Sequence, residues 1–129
     1  MKESILTDKS FNFAIRIVKL YKYLSDNKNE YVLSKQLLRS GTAIGALLSE
    51  GNFAESKADF IHKYGIAQKE CNESVYWLKL LYRIDFISQK EFESLDNDVI
   101  ELLKIITASI ITAKKSLKNK QDPPKDHIE

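Results

Sequence analysis

Gln36-Leu37-Leu38-Arg39-Ser40-Gly41-Thr42-Ala43-Ile44-Gly45-Ala46-Leu47-Leu48-Ser49-Glu50-Gly51 is the stretch on which the fold turns. Leu33, Leu37, Ile44 and Leu48 recur at helical spacing, with Ser40, Gly41 and Leu47 beside them, so the segment reads as a helix from about Glu30 to Ser49. It is also rich in small residues. Glycine inside a helix costs about 1 kcal/mol relative to alanine, so Gly41 and Gly45 are expected where a neighbouring backbone comes close. Gly51 is expected just past the helix end.

Three further helices flank this one. The first runs from about Asp8 to Ser25, with Phe11, Ala14, Ile17, Val18, Tyr21 and Leu24 as its apolar face, widened by Phe13 and Leu20. Asp26-Asn27-Lys28-Asn29 reads as a polar turn. The third starts near Ser56, where Ser56-Lys57-Ala58-Asp59 resembles a capping arrangement. It carries Phe60, Tyr64, Ala67, Cys71, Val75, Leu78 and Tyr82, and the pattern fades at Asp85. The fourth opens on the capping box Ser88-Gln89-Lys90-Glu91 and continues through Phe92, Leu95, Val99, Leu102, Leu103, Ile106, Ile110, Ala113 and Leu117. Four amphipathic helices with short links imply an all-α, up-down-up-down four-helix bundle over residues 1–118. Residues 119–129 form a polar tail holding Pro123 and Pro124, and disorder is expected there.

At 129 residues with 43% hydrophobic content the chain is one domain with a sizeable core. Its single cysteine, Cys71, forms no internal disulfide, and Met1 to Asp8 lacks the apolar stretch of a signal peptide. No apolar run reaches membrane-spanning length, so a cytoplasmic protein without a membrane partner is expected. The net charge of +2 neither demands nor excludes nucleic acid. Residues 91–101 hold Glu91, Glu93, Asp96, Asp98 and Glu101 without a base, and residues 104–120 hold Lys104, Lys114, Lys115, Lys118 and Lys120 without an acid. That order complements one helix dipole.

Each candidate site has a functional and a plainer reading. Lys9, Arg16, Lys19 and Lys22 share one face of the first helix, with Asn12 and Tyr23 between them and no acid of that helix. Such a face meets phosphates, with Tyr23 placed to stack on a base; the alternative is a solvated face. Ile66, Trp77 and Ile84 on helix three, and Ile100, Ile105 and Ile111 on helix four, lie off the core stripes, which points to self-association. Asp59, His62, Glu70 and Glu73 share one helix face and invite a metal-enzyme reading. The ligand count falls short of a di-iron bundle, and the only other histidine is His127, so no metal or cofactor is expected. Cys71 on the core stripe has no evident base and reads as a small hydrophobe, so no catalytic residue is assigned.

Several segments carry a family resemblance: residues 13–18, residues 36–42, Ile44-Gly45-Ala46, residues 56–63, Asn72-Glu73 and Tyr76-Trp77-Leu78. Across about Phe11 to Leu117 the chain resembles the four-helix-bundle family linked to intervening sequences of bacterial 23S ribosomal RNA genes. The resemblance implies small non-enzymatic bundles assembling into ring-shaped pentamers. It also implies a relation to accessory proteins of diversity-generating retroelements, which bind nucleic acid and a reverse transcriptase. It makes Gln36, Arg39, Ser40, Glu50, Glu70 and Glu73 structural and subunit-contact positions. Ala43, Leu47 and Leu48 stand where the family often has serine, asparagine and isoleucine. The expectation is a homo-oligomer, with Ile66, Glu70, Glu73, Trp77, Ile100 and Ile111 at its interface, that binds RNA or an RNA–protein assembly. The alternatives are a protein-interaction or structural module and, third, a retroelement accessory protein.

Overall fold

The computed structural model describes residues 2–121 as four helices: α1 (Lys2–Lys28), α2 (Leu33–Asn52), α3 (Lys57–Arg83) and α4 (Gln89–Gln121), with no strand among the described residues. α2 packs on α1 and α3, and α4 packs on the same two, while α1 and α3 lie diagonally apart. Asn52 reaches Thr7, and Lys57 reaches Ser116, so the start of α1, the end of α2, the start of α3 and the end of α4 share one end of the bundle. No described helix is long and apolar enough to cross a membrane.

The helix boundaries differ from the sequence expectation for local reasons. α1 begins six residues earlier than Asp8 and adds Leu6 to the core. It runs through the expected polar turn to Lys28 and stops at Asn29, whose φ of 55° is a left-handed conformation that asparagine tolerates. Glu30 is not the first turn of α2 but its cap. Its carboxylate accepts the backbone N–H groups of Val32, Leu33 and Ser34 at 3.1, 3.0 and 2.8 Å. α3 starts where Ser56 accepts the Asp59 N–H. It ends in a Schellman motif, with Asp85 left-handed and the Phe86 N–H bonded to the Leu81 carbonyl. Ser88 and Glu91 cap α4 reciprocally. α4 continues to Gln121, past the expected start of the tail at Asn119; Pro123, Pro124 and His127 lie outside the described residues.

The core is made by Leu6, Phe13, Ile17, Leu20 and Leu24 of α1 with Leu37, Ile44 and Leu48 of α2. Tyr64, Ala67, Cys71, Leu78 and Leu81 of α3, and Leu95, Val99, Leu102, Ile106 and Ile110 of α4, complete it. Phe11 is a correction: it is 66% exposed, because Phe13, not Phe11, lies in register with Ile17, Leu20 and Leu24. Leu47 packs against the core from its edge.

The glycines divide by what surrounds them. A Cβ on Gly41 would meet the Ile17 side chain at 3.0 Å, so α1 and α2 are close there, as expected. At Gly45 the nearest atom is Ser10 Oγ at 3.4 Å, an ordinary contact. Gly51 is the larger correction. It lies inside α2, buried, and a Cβ there would come within 2.8 Å of the Tyr64 ring. That ring is fully buried, and its hydroxyl donates to Asn52 Oδ1 at 2.6 Å, so it cannot swing away. Gly65, in α3, has nothing within 4 Å.

Thermal denaturation will therefore separate these positions. Gly51→Ala should destabilise by about 1–3 kcal/mol despite the gain in helix propensity. Gly65→Ala should stabilise by up to about 1 kcal/mol. Equal melting temperatures for the two variants would contradict this packing.

Candidate functional site

The basic face of α1 is not acid-free in three dimensions. Lys9 Nζ lies 2.9 Å from Glu101 of α4, and Arg16 lies 2.7 Å from Asp98 and also donates to Ser94. Two of the acids of α4, Asp98 and Glu101, thus pair with α1, beyond whatever they contribute to the helix dipole. Exposed pairs of this kind add at most about 1 kcal/mol each, but they cancel charge where it was expected to be free. Lys19, Lys22 and Tyr23 remain exposed, and among the described residues the two lysines make no ion pair. Arg16, Lys19, Leu20 and Tyr23 line a groove of about 290 Å³ with Glu91 and Leu95.

Glu70, Glu73 and Trp77 converge on Arg39 of α2. The guanidinium bonds Glu70 at 3.1 and 3.3 Å and also bonds Glu73, while the Trp77 indole N–H donates to Glu73 at 3.1 Å. Beneath them Ser40 and Ser74 hydroxyls meet at 2.9 Å, fully buried. The bonds to Glu73 and then Glu70 raise the Arg39 pKa above its ordinary value. The Trp77 N–H first, and Arg39 second, hold Glu73 below the usual carboxylate range. Lys63 and Glu50 form a further α2–α3 pair at 3.0 Å.

The six residues expected at a subunit interface do not form one patch. Ile66, Trp77 and Ile84 follow one line of α3 (Trp77 and Ile66 half-buried, Ile84 44% exposed), whereas Ile100 and Ile111, 37% and 50% exposed, lie on α4. Sequence reasoning missed a second strip: Phe11 and Ile15, one turn apart on α1, are 66% and 39% exposed. It also missed a line of exposed residues at seven-residue spacing on α3, His62, Lys69, Tyr76 and Arg83. The heptad interval outside the core stripe was the available signal.

Asp59 and His62 stand about three turns or more from Glu73, and the carboxylates of Glu70 and Glu73 are engaged by Arg39. Among the described residues no three His, Cys, Asp or Glu side chains gather as a metal site. Burial first, and Glu70 second, push the Cys71 thiol up to about 12, so it stays protonated at neutral pH.

A family model described as 23S rRNA-intervening sequence protein matches residues 2–108. A crystal structure from Bacteroides thetaiotaomicron, described as a protein with unknown function from the S23 ribosomal protein family, is 50% identical. It superposes with a TM-score of 0.84 and covers 85% of this chain and 98% of its own. No curated protein matches.

Because Trp77 is the chain's one tryptophan, its fluorescence reports on Glu73 directly. The carboxylate's depressed pKa means that its contribution to stability is present above the ordinary glutamate value near 4.3 and is lost as pH falls through the lower folded value. Fluorescence of the folded protein should titrate with a midpoint below about 4.3, and Arg39→Met should move that midpoint upward. An unmoved midpoint would contradict the assigned contact.

Proposed function

Since this chain belongs to the 23S rRNA-intervening sequence protein family, we propose that it is a non-enzymatic four-helix bundle that self-associates and binds RNA, or an RNA–protein assembly, through a basic surface multiplied by assembly. The observation that carries this reading is the pair of apolar strips left at the surface of helices that do not touch each other, exposed Phe11 and Ile15 on α1 and exposed Ile84 in line with half-buried Ile66 and Trp77 on α3. Apolar surface of this kind marks contact sites. Two different strips favour a heterologous, head-to-tail contact, which closes into a ring when the rotation allows; a homopentamer is the ring in question.

Assembly also supports the RNA half. A net charge of +2 per chain is weak alone, but a ring repeats Lys19, Lys22 and Tyr23 around its surface and sums their field. The protonated Cys71 and the engaged Glu70 and Glu73 are consistent with a protein that performs no chemistry. The cytoplasm is the compartment where such a protein meets RNA.

One observation favours a second reading. The Lys9–Glu101 and Arg16–Asp98 pairs remove half of the charge on the α1 face, as in a protein-interaction or structural module whose basic face is merely solvated. Fluorescence anisotropy with labelled RNA across a salt series decides between the two. The RNA reading expects log affinity to fall linearly with log salt, and Lys19→Glu with Lys22→Glu to weaken binding about tenfold or more at low salt. Absence of salt-dependent binding would establish the second reading.

A further inference from the structure

α4 divides its charge between its two neighbours. Asp98 and Glu101 turn to α1, while the stretch from Lys104 to Lys118 carries four exposed lysines and no acid. This stretch runs beside the first half of α3, as the Gln68–Thr107 and Lys57–Ser116 hydrogen bonds show. On α3 itself, the exposed line His62, Lys69, Tyr76 and Arg83 spans about 32 Å and contains no acid. Asn72 and Lys79 are exposed beside it. Among the described residues Lys69, Lys79, Arg83, Lys104, Lys114, Lys115 and Lys118 make no ion pair. Of the acids on the near edge, Glu73 is held by Arg39 and Trp77, and Asp59, one turn before His62 and near Lys63, closes the N-terminal end of the line. Glu93 and Asp96 sit in the first turns of α4, at the Arg83 end of the line, where Tyr82 stacks on Phe92, so the stretch clear of acids is its middle, around Lys69 and Tyr76.

The same face has a recess. Because Gly65 has no side chain and nothing within 4 Å, α3 and α4 leave a groove of about 610 Å³ beside it. Ile61, Ile66 and Leu103 supply apolar walls, and His62, Lys69 and Asn72 supply polar atoms at its edge. Tyr76, 60% exposed, stands two turns beyond Lys69. Apolar walls, an exposed aromatic ring and unpaired cationic side chains beside them are what an unpaired base and its phosphates need.

We propose that the α3–α4 face binds single-stranded nucleic acid, with one base in the groove beside Gly65, another stacked on Tyr76, and phosphates on Lys69, Arg83 and the lysines Lys114 and Lys118 of α4, Lys104 lying instead beside Ile5 of α1. This rests on the reading above that the protein binds RNA, but it places the main contact on a different face from α1. The charge on the face selects a polyanion, and the groove and the ring select unpaired bases over a duplex, whose bases are stacked inside.

The test is anisotropy with a labelled single-stranded RNA of about 15 nucleotides and the matching duplex, on the full chain. Variants are Tyr76→Ala, Gly65→Leu and the double variant Lys69→Ala with Arg83→Ala; thermal melting verifies that each is folded. Gly65→Leu fills the groove from a position with open space, so it alters shape without charge. The expected results are single strand bound more tightly than duplex, and about tenfold loss for Tyr76→Ala with an unchanged salt slope. Gly65→Leu should also weaken binding with the slope unchanged. The lysine–arginine variant should weaken binding and flatten the slope by about 1.4, two phosphate contacts. If folded variants bind like wild type while Lys19→Glu with Lys22→Glu loses affinity, this proposal is overturned and RNA binding stands. If wild type binds no RNA, both fall.

Discussion

α2 is held close to both of its neighbours, and the rest of the bundle follows from that constraint. Gly41 lets Ile17 of α1 approach, and Gly51 receives the Tyr64 ring from α3. Between these points the Ser40–Ser74 pair needs the backbones near enough for two short side chains to meet. Small residues here exchange helix propensity for close contact, a cost of about 1 kcal/mol per glycine that packing offsets. With α2 fixed between α1 and α3, the fourth helix closes the other side, and α1 and α3 are kept apart on the diagonal.

That diagonal separation decides what the surface offers. Strips of apolar residues on α1 and on α3 cannot cover each other within one chain, so they remain outside. The charges of α4 are sorted in the same way. Two of its acids, Asp98 and Glu101, meet Arg16 and Lys9 of α1, while its lysines make no ion pair among the described residues and Lys114 to Lys118 run beside the start of α3. A chain of nearly balanced charge thereby has an α1 face whose charge is half paired and an α3–α4 face whose lysines are unpaired.

Much of this was legible from the residues. The four helices, the Ser56 and Ser88 caps and nearly all of the core followed from periodicity and short capping motifs, because these are local. What escaped was long-range. Nothing in the first helix says that Lys9 and Arg16 face Asp98 and Glu101, some eighty to ninety residues away. Gly51 looked like a helix end because a ring from α3 cannot be seen in α2. Phe11 and Phe13 differ by only two positions, about 200° around the helix, and only the packed core distinguishes them. The Arg39 cluster was visible as positions but not as contacts: Glu70 and Glu73 share a face, yet the residue that joins them lies on another helix.

Molar mass in solution by light scattering, at low and high salt and with and without RNA, tests the central claim most directly. The apolar strips predict an assembly that persists at high salt, near five times the 14.9 kDa chain if it is the pentamer that the family resemblance implies, with a further increase on adding RNA that appears only at low salt. A mass of one chain under every condition, unchanged by RNA, would contradict both halves of the account.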